Sequence, residues 1–325
     1  MIRVGVVGGG IAGRSHLFDL LCCPGFEPVA VCTTSVGSAT RVAREFGVGS
    51  AYSDVAAMIA QERMDGLVVA VPPGAGDRVL PVAAGCGLPL VIDKPGAASP
   101  AVLRNVLATY PGLTGRTVVS YNRRYQAHVR ALRSLLADGS LGALQRVHCT
   151  WTGPFRDRYA SGDTYRGSVR FGGGVLLDTV CHVVDTLLFL GLGPLEVKRA
   201  RLDRGSRPAD VAAEVRLRGG GGRVSVTLSV GEGPEHWEIV VEGSAGRAHL
   251  VAAGLTVQTP AGARHVDGVD LGRPVEDLGR AERLGATVEE AEEVLRVLEH
   301  IRAAATARPW LPPRAKALGR LNGAC

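Results

Sequence analysis

The first third of the chain alternates short apolar runs with amphipathic stretches. The apolar runs cover residues 2–8, 27–33, 65–72, 88–93 and 116–121. The stretches between them, at 11–23, 38–47, 53–62, 75–87 and 99–110, have the spacing of surface helices. Apolar runs separated by helices are typical of a parallel sheet that is covered on both faces. We therefore predict an N-terminal domain with a doubly wound parallel sheet over residues 1–121.

The pattern changes after residue 121. A helical stretch at 128–139 precedes strand-like runs, which lie at 142–153, 197–202, 211–217, 223–230, 236–243, 247–252 and 255–259. Several short strands in succession indicate a mainly antiparallel sheet. A long helical pattern follows at 285–307. The fold class is therefore α/β, with a second, α+β domain over residues 122–325 that carries a large, open, mainly antiparallel sheet.

Composition narrows the class of protein. The 325-residue chain is 46% hydrophobic and 21% charged, as globular proteins are. We find no apolar stretch of membrane-spanning length and no leader pattern, and we expect a cytoplasmic protein without membrane partners. The net charge of +6 is spread along the chain, so no nucleic-acid partner is expected. The seven cysteines lack metal-ligand spacing, which predicts reduced core residues, no disulfide framework and no metal site.

A glycine-rich turn stands directly after the first predicted strand. Gly8, Gly10 and Gly13 have the G-x-G-x-x-G spacing and open a helix that begins with Ile11 and Ala12. The first glycine permits a tight turn, the second lets the backbone approach a pyrophosphate, and the third lets helix and strand pack closely. The helix N-terminus then supplies N–H donors for the phosphates. The turn predicts a dinucleotide site formed by these five residues.

The end of the second strand bears on the choice of dinucleotide. NAD sites commonly have an acidic residue there for the ribose 2′-hydroxyl, whereas this chain has Thr33, Thr34 and Ser35. These hydroxyls, with Arg41 or Arg44 downstream, suit a 2′-phosphate. They can also cap the next helix, and the two roles are compatible. We expect NADP as the cofactor, with NAD possible.

The apolar segment 172–191 carries ionisable residues that are difficult to explain by packing. Asp178, His182 and Asp185 are four and three residues apart, so an α-helix places them on one face. Burial of two carboxylates is costly unless they are paired. The trio predicts a proton-transfer site in which a carboxylate orients the imidazole.

At these positions the sequence resembles the Gfo/Idh/MocA oxidoreductases, relatives of glucose–fructose oxidoreductase and inositol dehydrogenase. The resemblance rests on VGVVGGGIAGRSH, VIDKPGA, SYNRRY, GGGVLLDTVCHVVD and the strand around WEIVVEGSAGRAHL, which occur in this order over nearly the whole chain. It implies a Rossmann domain and an open-sheet domain with the active site in the cleft between them. Asp93 stands where the family usually has a glutamate, which could alter the position of Lys94.

The resemblance also implies roles for particular residues. Lys94, Asp178 and His182 form the expected catalytic set, and Val71, Pro72, Lys94 and Pro95 are expected beside the cofactor. Besides the catalytic set, the expected substrate contacts are Asn122, Arg123, Tyr165 and Arg166. The chain has only three lysines, and the one in this motif suits proton exchange because an ammonium can lower its pKa on burial, whereas an arginine stays protonated.

The expected reaction interconverts a hydroxyl and a ketone by hydride transfer on a sugar, nucleotide sugar or cyclitol. His182 or Lys94 exchanges the proton, and Asp178 orients His182. Three alternatives remain: an imine reductase on the same fold, an NAD-dependent glycoside hydrolase, and a non-catalytic dinucleotide-binding regulator. The Arg-rich segment before the helix is compatible with a solvated surface and with contacts to an anionic substrate such as a nucleotide-linked sugar, for which Arg166 is the expected contact.

The open sheet also leads to an expectation about assembly. Alternating runs such as residues 223–230 leave one sheet face to cover, and members of the family commonly associate through it. We expect a homodimer or homotetramer formed through the C-terminal sheet.

Overall fold

The structure is a computed structural model that describes residues 1–159, 165–203, 209–220 and 223–306. Among these residues, six strands form a parallel sheet in the order β3-β2-β1-β4-β5-β6. The strands are β1 Ile2–Val7, β2 Phe26–Cys32, β3 Ser50–Tyr52, β4 Gly66–Val69, β5 Leu90–Ile92 and β6 Thr117–Val119. This is the predicted doubly wound arrangement, with the order of the strands reversing beside β1. The short β3 was not predicted.

The helices of this half connect successive strands. They are α1 Ile11–Cys22, α2 Val36–Phe46, α3 Val55–Gln61, α4 Gly76–Gly85 and α5 Pro100–Thr109. Their ends follow local chemistry, as α2 shows. The Ser35 side chain accepts a hydrogen bond from the backbone N–H of Ser38 at its start, and Gly47 ends it with a φ of 69°.

A second sheet forms in the other half of the chain. Within the described residues it has nine strands in the order β14-β13-β12-β11-β7-β10-β9-β8-β15. All neighbours are antiparallel except β7 with β10 and β8 with β15. The strands are β7 Leu144–Gly153, β8 Glu196–Asp203, β9 Ala212–Gly219, β10 Val224–Glu232, β11 His236–Gly243, β12 Arg247–Val251, β13 Gly254–Thr259, β14 Gly262–Asp267 and β15 Ala305–Thr306. The mainly antiparallel prediction is confirmed.

One face of the second sheet is buried and the other is polar. Along β10, Val224, Val226, Leu228 and Val230 are buried, while the alternate residues are not. On the outer face β10 carries serine and threonine side chains, and this is the face that we expected a partner to cover. Association through this sheet stays a prediction.

The remaining helices cover the inner face and join the two halves. They are α6 Ala127–Ala137, α7 Phe155–Arg158, α8 Cys181–Phe189 and α9 Val288–Ala304, the last of which begins with a capping box of Thr287 and Glu290. Residues 274–278 return to the parallel sheet, where Val275 and Leu278 share the core of β1 and β4. The predicted division at residue 121 thus assigns to the second domain a segment that packs on the first, and the boundary stays a prediction.

One segment corrects the expectation about apolar length. The segment Val169–Phe189, whose helical turns are interrupted at residues 172–174, could span a membrane by length and composition alone. In the most apolar window of this segment 83% of the residues are buried inside the protein. The segment therefore lies where a core helix lies, and its hydrophobicity follows from that burial.

Candidate active site

The glycine turn leaves space at one position and none at the other two. Gly8 has a φ of +117°, and a Cβ atom there would lie 2.0 Å from the carbonyl oxygen of Ala70 in the neighbouring strand connection. A Cβ on Gly13 would lie 1.9 Å from the carbonyl oxygen of Gly8. A Cβ on Gly10 would meet no atom within 4 Å. The turn is thus closed by the protein on one side and open at the residue where a pyrophosphate would approach.

The residues around the turn fit a dinucleotide. Gly10 caps α1 with an extended backbone and has no side chain to cap the helix, and within the described part of the chain no other side chain accepts a hydrogen bond from the N–H groups of the first turn. Ile11 is 68% exposed beside the turn, and Ala12 is half-buried. Val71 and Pro72 follow β4, the next strand in the sheet, and are half-buried at the same edge. All these groups lie at the carboxyl ends of parallel strands, where such folds bind their ligands.

The hydroxyls after β2 are partly occupied by local contacts. Thr33 donates a hydrogen bond to the carbonyl oxygen of Ser35 at 3.0 Å, and Ser35 caps α2. Thr34 and Ser35 are exposed, as are Arg41 and Arg44. A Cβ on Gly9 would lie 2.8 Å from the Cγ2 of Thr33, so these residues do stand against the glycine turn. The capping alternative therefore holds for Ser35, and the exposed side chains remain accessible to a ribose.

Lys94 connects the two halves of the molecule. It follows β5, in a turn with the buried Pro95, and its Nζ donates to the Oδ1 of Asp178 at 2.9 Å and to the Asp178 carbonyl oxygen at 2.7 Å. Asp93 does not displace it, because the Asp93 carboxylate turns to the hydroxyl of Ser120 at 3.2 Å and to His16 at 3.7 Å. The shorter side chain at position 93 thus does not prevent the hydrogen bonds between Lys94 and Asp178.

Asp178 accepts hydrogen bonds from three side chains. Besides Lys94, the Nε of Arg166 and the hydroxyl of Tyr159 each donate to its Oδ2 at 3.0 Å. Burial raises the pKa of the Asp178 carboxyl, but the charges and hydrogen bonds of Lys94 and Arg166 outweigh burial and hold it well below its usual range. The carboxylate is therefore ionised at neutral pH.

This pairing corrects our expectation for the lysine. Burial lowers the pKa of Lys94, yet the Asp178 carboxylate, together with smaller contributions from Cys181, Asp93 and Tyr165, outweighs burial and raises the pKa above its ordinary value. Lys94 is consequently an ammonium at neutral pH and a poor proton acceptor. It can donate hydrogen bonds to a substrate oxygen, which is a different role from proton exchange.

His182 is set apart from the carboxylate that we expected to orient it. The three groups that hold Asp178 are Lys94, Arg166 and Tyr159, and the buried Nδ1 of His182 has no hydrogen-bond partner among the described residues. The imidazole instead packs edge-on to Tyr121, with 6.0 Å between ring centroids, and against Trp151 at 5.8 Å. The expectation that Asp178 orients His182 is wrong in this structure.

The electrostatic surroundings of His182 keep it neutral. Burial lowers its pKa well below the ordinary value, and the positive charges of Lys94 and Arg123 lower it further. Asp178 acts in the opposite direction and is outweighed. A neutral imidazole with one unused ring nitrogen is able to accept a proton.

The predicted trio on one helix face is divided by the local geometry. Residues Leu176–Val180 form a π-helical turn before α8, which rotates Asp178 relative to the residues that follow. Asp185 lies on the core side, where its carboxylate accepts from the Nη2 of Arg124 at 2.7 Å and from its Nε at 3.0 Å. Asp185 is therefore part of a buried ion pair and not of the proton-transfer site.

The predicted substrate contacts have different surroundings. Arg166 is held by Asp178 and is partly exposed, and Tyr165 lies beside it. Asn122 is exposed and lines a cavity of about 580 Å³ together with Arg123 and His182. Arg166 is thus committed to a carboxylate of the protein, which weakens the expectation that it is the contact for an anionic substrate.

Arg123 lies on two indole rings. Its guanidinium carbon is 4.3 Å from the ring centroid of Trp151 and 3.8 Å from that of Trp237. The two tryptophans face each other directly across β7 and β11, and both line the cavity. Burial lowers the pKa of Arg123 to about 10, which leaves it charged at neutral pH.

Sequence reasoning missed Tyr159 and this pair of tryptophans. The one available signal was composition, because the chain has only three tryptophans and 5% aromatic residues. Two of these tryptophans lie near the ends of predicted strands, where binding residues are often found. Tyr159 stood in the Arg-rich segment without a feature that distinguished it from the other tyrosine there.

A dinucleotide turn and a lysine–aspartate–histidine cluster in the cleft define a two-domain, Rossmann-type oxidoreductase class. The comparisons with known proteins agree. The family model described as "Oxidoreductase family, NAD-binding Rossmann fold" matches residues 2–121, and that of the GFO/IDH/MocA C-terminal domain matches residues 129–249. The chain belongs to the GFO/IDH/MocA oxidoreductase family.

Individual relatives match part of their length. The chain is 26% identical over 192 residues to an inositol 2-dehydrogenase of Pseudomonas savastanoi, which is 58% of this chain and 54% of that protein. Indeed, the chain spans about half the length of the curated relatives it matches.

Solved structures share the fold over nearly the whole chain. The WlbA dehydrogenase from Bordetella pertussis, in complex with NADH and UDP-GlcNAcA, has a TM-score of 0.77 at 22% identity and covers 94% of this chain and 96% of its own. KijD10, a 3-ketoreductase from Actinomadura kijaniata in complex with NADP and TDP-benzene, has a TM-score of 0.79 at 21% identity and covers 94% and 98%.

Proposed function

We propose that this protein is a nicotinamide-dependent oxidoreductase that interconverts a hydroxyl and a ketone on a sugar, nucleotide sugar or cyclitol, with NADP as the preferred cofactor. The observation that carries the proposal is the contact of Lys94 with Asp178 beside a neutral His182, at the same sheet edge as the open glycine turn. The preference for NADP rests on the absence of an acid at Thr33, Thr34 and Ser35. The named ligands of the related structures, nicotinamide dinucleotides with nucleotide-linked compounds, are consistent with it.

Two features of the cradle support binding of the cofactor. Gly10 leaves room for the pyrophosphate, and the N–H groups of the first turn of α1 are available to it. Val71, Pro72 and Pro95 stand at the edge that leads from the turn to Lys94. When bound, a nicotinamide dinucleotide accepts or returns the hydrogen of the substrate carbon as hydride.

The protein's own groups divide the remaining work. His182 is neutral and accepts the proton of the substrate hydroxyl at its ring nitrogen, and in the reverse direction the imidazolium returns it. Lys94 stays charged because Asp178 is ionised, and its ammonium donates a hydrogen bond to the substrate oxygen as negative charge develops there. Asp178 acts through Lys94, because its carboxylate keeps Lys94 protonated and its hydrogen bonds fix the position of the ammonium.

The test is a turnover screen with paired variants. Purified protein is mixed with NADP⁺ or NAD⁺ and with inositols, free sugars and nucleotide sugars, and reduced nicotinamide is followed by absorbance. Lys94→Met and His182→Gln should each lower kcat by about 10²- to 10⁴-fold, while the Kd of the cofactor changes little. Lys198→Met is the matched control, since Lys198 is exposed on β8 and pairs with Glu196.

Two results would overturn parts of this proposal. Turnover of both variants near the wild-type rate would remove Lys94 and His182 from the reaction. A higher kcat/KM with NAD⁺ than with NADP⁺ would show that the hydroxyls after β2 do not select the 2′-phosphate.

A further inference from the structure

Arg123 carries a buried charge that the protein itself does not neutralise. The residue is 5% exposed, and among the described residues no carboxylate or carbonyl accepts a hydrogen bond from its guanidinium. Burial of an unpaired guanidinium is unfavourable, and the faces of Trp151 and Trp237 compensate for only part of that penalty. A guanidinium has five N–H donors, and those of Arg123 are available to a ligand.

The same cavity contains further polar atoms without partners. Gln126 and His182 both line it, and the buried Oε1 of Gln126 and Nδ1 of His182 have no hydrogen-bond partner among the described residues. Unsatisfied polar atoms are rare in native proteins, and these two belong to residues that line the same cavity as Arg123. Its volume of about 580 Å³ is in the range of small-molecule sites.

The other cations near the cavity already have carboxylate partners. Lys94 and Arg166 both pair with Asp178, and Arg158 pairs with Glu235 at 3.0 Å. Glu235 is the carboxylate on the cavity rim, and it also accepts from the indole N–H of Trp151 at 3.1 Å. Glu235 is therefore occupied by other donors and does not pair with Arg123. The three other cations, in turn, are already paired with carboxylates of the protein.

We propose that Arg123 binds an anionic group, a carboxylate or a phosphate, of the substrate whose hydroxyl reacts at His182. This inference names the substrate class of the proposed reaction and so rests on the proposed function. Trp151 contacts both Arg123 and His182, so the anionic group lies one indole ring away from the reacting carbon. The guanidinium offers two parallel donors to the anion, and the indole faces hold it in that orientation.

The experiment measures binding separately from turnover. Intrinsic tryptophan fluorescence is titrated with glucuronate, glucose 6-phosphate and glucose, which share a ring but differ in charge. The two anions distinguish a carboxylate from a phosphate as the favoured group. At least one anion should bind with a Kd about 10- to 100-fold lower than that of glucose, as expected for one charge-assisted pair.

Two variants show whether Arg123 is responsible. Arg123→Gln should remove the preference for the anion and leave glucose binding within a few-fold. Arg133→Gln is the matched control, because it removes the same charge from an exposed side chain of α6 that rests on the ring of Phe189 in α8. It should keep the wild-type preference.

The outcomes separate this inference from the proposed function. Equal Kd values for all three sugars, no measurable binding of either anion at about 10 mM, or an unchanged preference in Arg123→Gln would overturn the anion site. If the preference follows Arg123 while no sugar or nucleotide sugar is turned over with either cofactor, the anion site stands and the proposed oxidoreduction falls.

Discussion

Two adjacent arginines at the start of the second domain have opposite surroundings. Arg124 and Arg123 are 3% and 5% exposed, so both are buried. Arg124 donates to the carboxylate of Asp185 through two nitrogens, and its Nη1 reaches Glu290 in α9 at 2.7 Å. Arg123 rests on two indole rings and has no acceptor among the described residues. One arginine is satisfied by the protein, and the other is not.

The difference shows how stability and function are divided in this molecule. The Arg124 contacts join α8 and α9 to the connection between the two halves, so they stabilise the frame. The Arg123 contacts orient a charge without neutralising it, which is an arrangement that a ligand completes. Mutation of a residue whose polar groups are paired within the protein should therefore lower the stability of the fold. Mutation of a residue whose polar groups face a ligand site should instead lower the affinity for that ligand.

The largest expected effect follows from removal of the satisfied arginine. Arg124→Met leaves Asp185 buried without its partner, and loss of one member of a buried ion pair lowers the free energy of unfolding by about 3–5 kcal/mol. Arg123→Met replaces an unpaired charge by an apolar side chain against the same indoles, so the change should stay within about 1 kcal/mol. Urea denaturation followed by circular dichroism measures both.

The comparison would fail if the two variants behaved alike. An Arg123→Met loss as large as that of Arg124→Met would mean that the first arginine also stabilises the frame. Arg133→Met, exposed on α6, is the control for removal of a stacked arginine and should change stability by about 0.5 kcal/mol or less.

The glycine turn allows the same contrast at a smaller scale. Gly13→Ala places a Cβ atom 1.9 Å from the carbonyl oxygen of Gly8, so the backbone must shift and the free energy of unfolding should fall by about 1–3 kcal/mol. Gly10→Ala meets no atom within 4 Å and should change stability by about 1 kcal/mol or less. Its methyl group instead enters the space of the pyrophosphate.

Cofactor binding separates these two positions. Gly10→Ala should raise the Kd of NADPH by about 10-fold or more, measured by fluorescence of the bound nicotinamide. Unchanged affinity in Gly10→Ala would place the pyrophosphate elsewhere, and full stability of Gly13→Ala would contradict the close packing of the turn.

The parts of the fold and site that could be predicted are those with local causes. The glycine spacing, the alternation of runs and helices, and the period-two pattern of strands such as β10 all depend on residues close in sequence. The short β3 and the outer strand β14 were missed, since residues 50–52 and 262–267 carry a weak or polar pattern. Both strands lie at sheet edges, where side chains are less buried and the sequence therefore needs no strong hydrophobic pattern.

The partners within the site could not be predicted from the sequence. Lys94 and Asp178 are 84 residues apart, and nothing in either motif specifies their hydrogen bond. A π-helical turn separates Asp178 from the face of Asp185, which the spacing for an α-helix does not anticipate. The resemblance implied a substrate contact for Arg123 and none for Arg124, but only the tertiary contacts show that one guanidinium is paired with carboxylates and the other lies on indole rings.

The smallest expected effect concerns His182 and the pH dependence of stability. Burial, with Lys94 and Arg123, lowers the pKa of His182 in the folded protein, whereas in the unfolded chain it has its ordinary value of about 6.5. Below that pH the unfolded chain binds a proton that the folded protein does not, so stability falls as the pH decreases. A single histidine contributes up to about 1.4 kcal/mol per pH unit to this loss.

The contribution of His182 is isolated by comparing wild type with His182→Gln between pH 7 and pH 5 by urea denaturation. His128, whose pKa is also lowered mainly by burial, and Asp185, whose pKa burial raises to about 6, are present in both proteins and cancel in the comparison. The Asp178 carboxyl, with its lowered pKa, affects stability only below the ordinary carboxyl range, so it lies outside this window. The variant should lose less stability than wild type on acidification, because glutamine at position 182 takes up no proton when the chain unfolds. Equal losses in both proteins would mean that the pKa of His182 is the same in the folded and the unfolded protein, which would contradict the effect of burial on this imidazole.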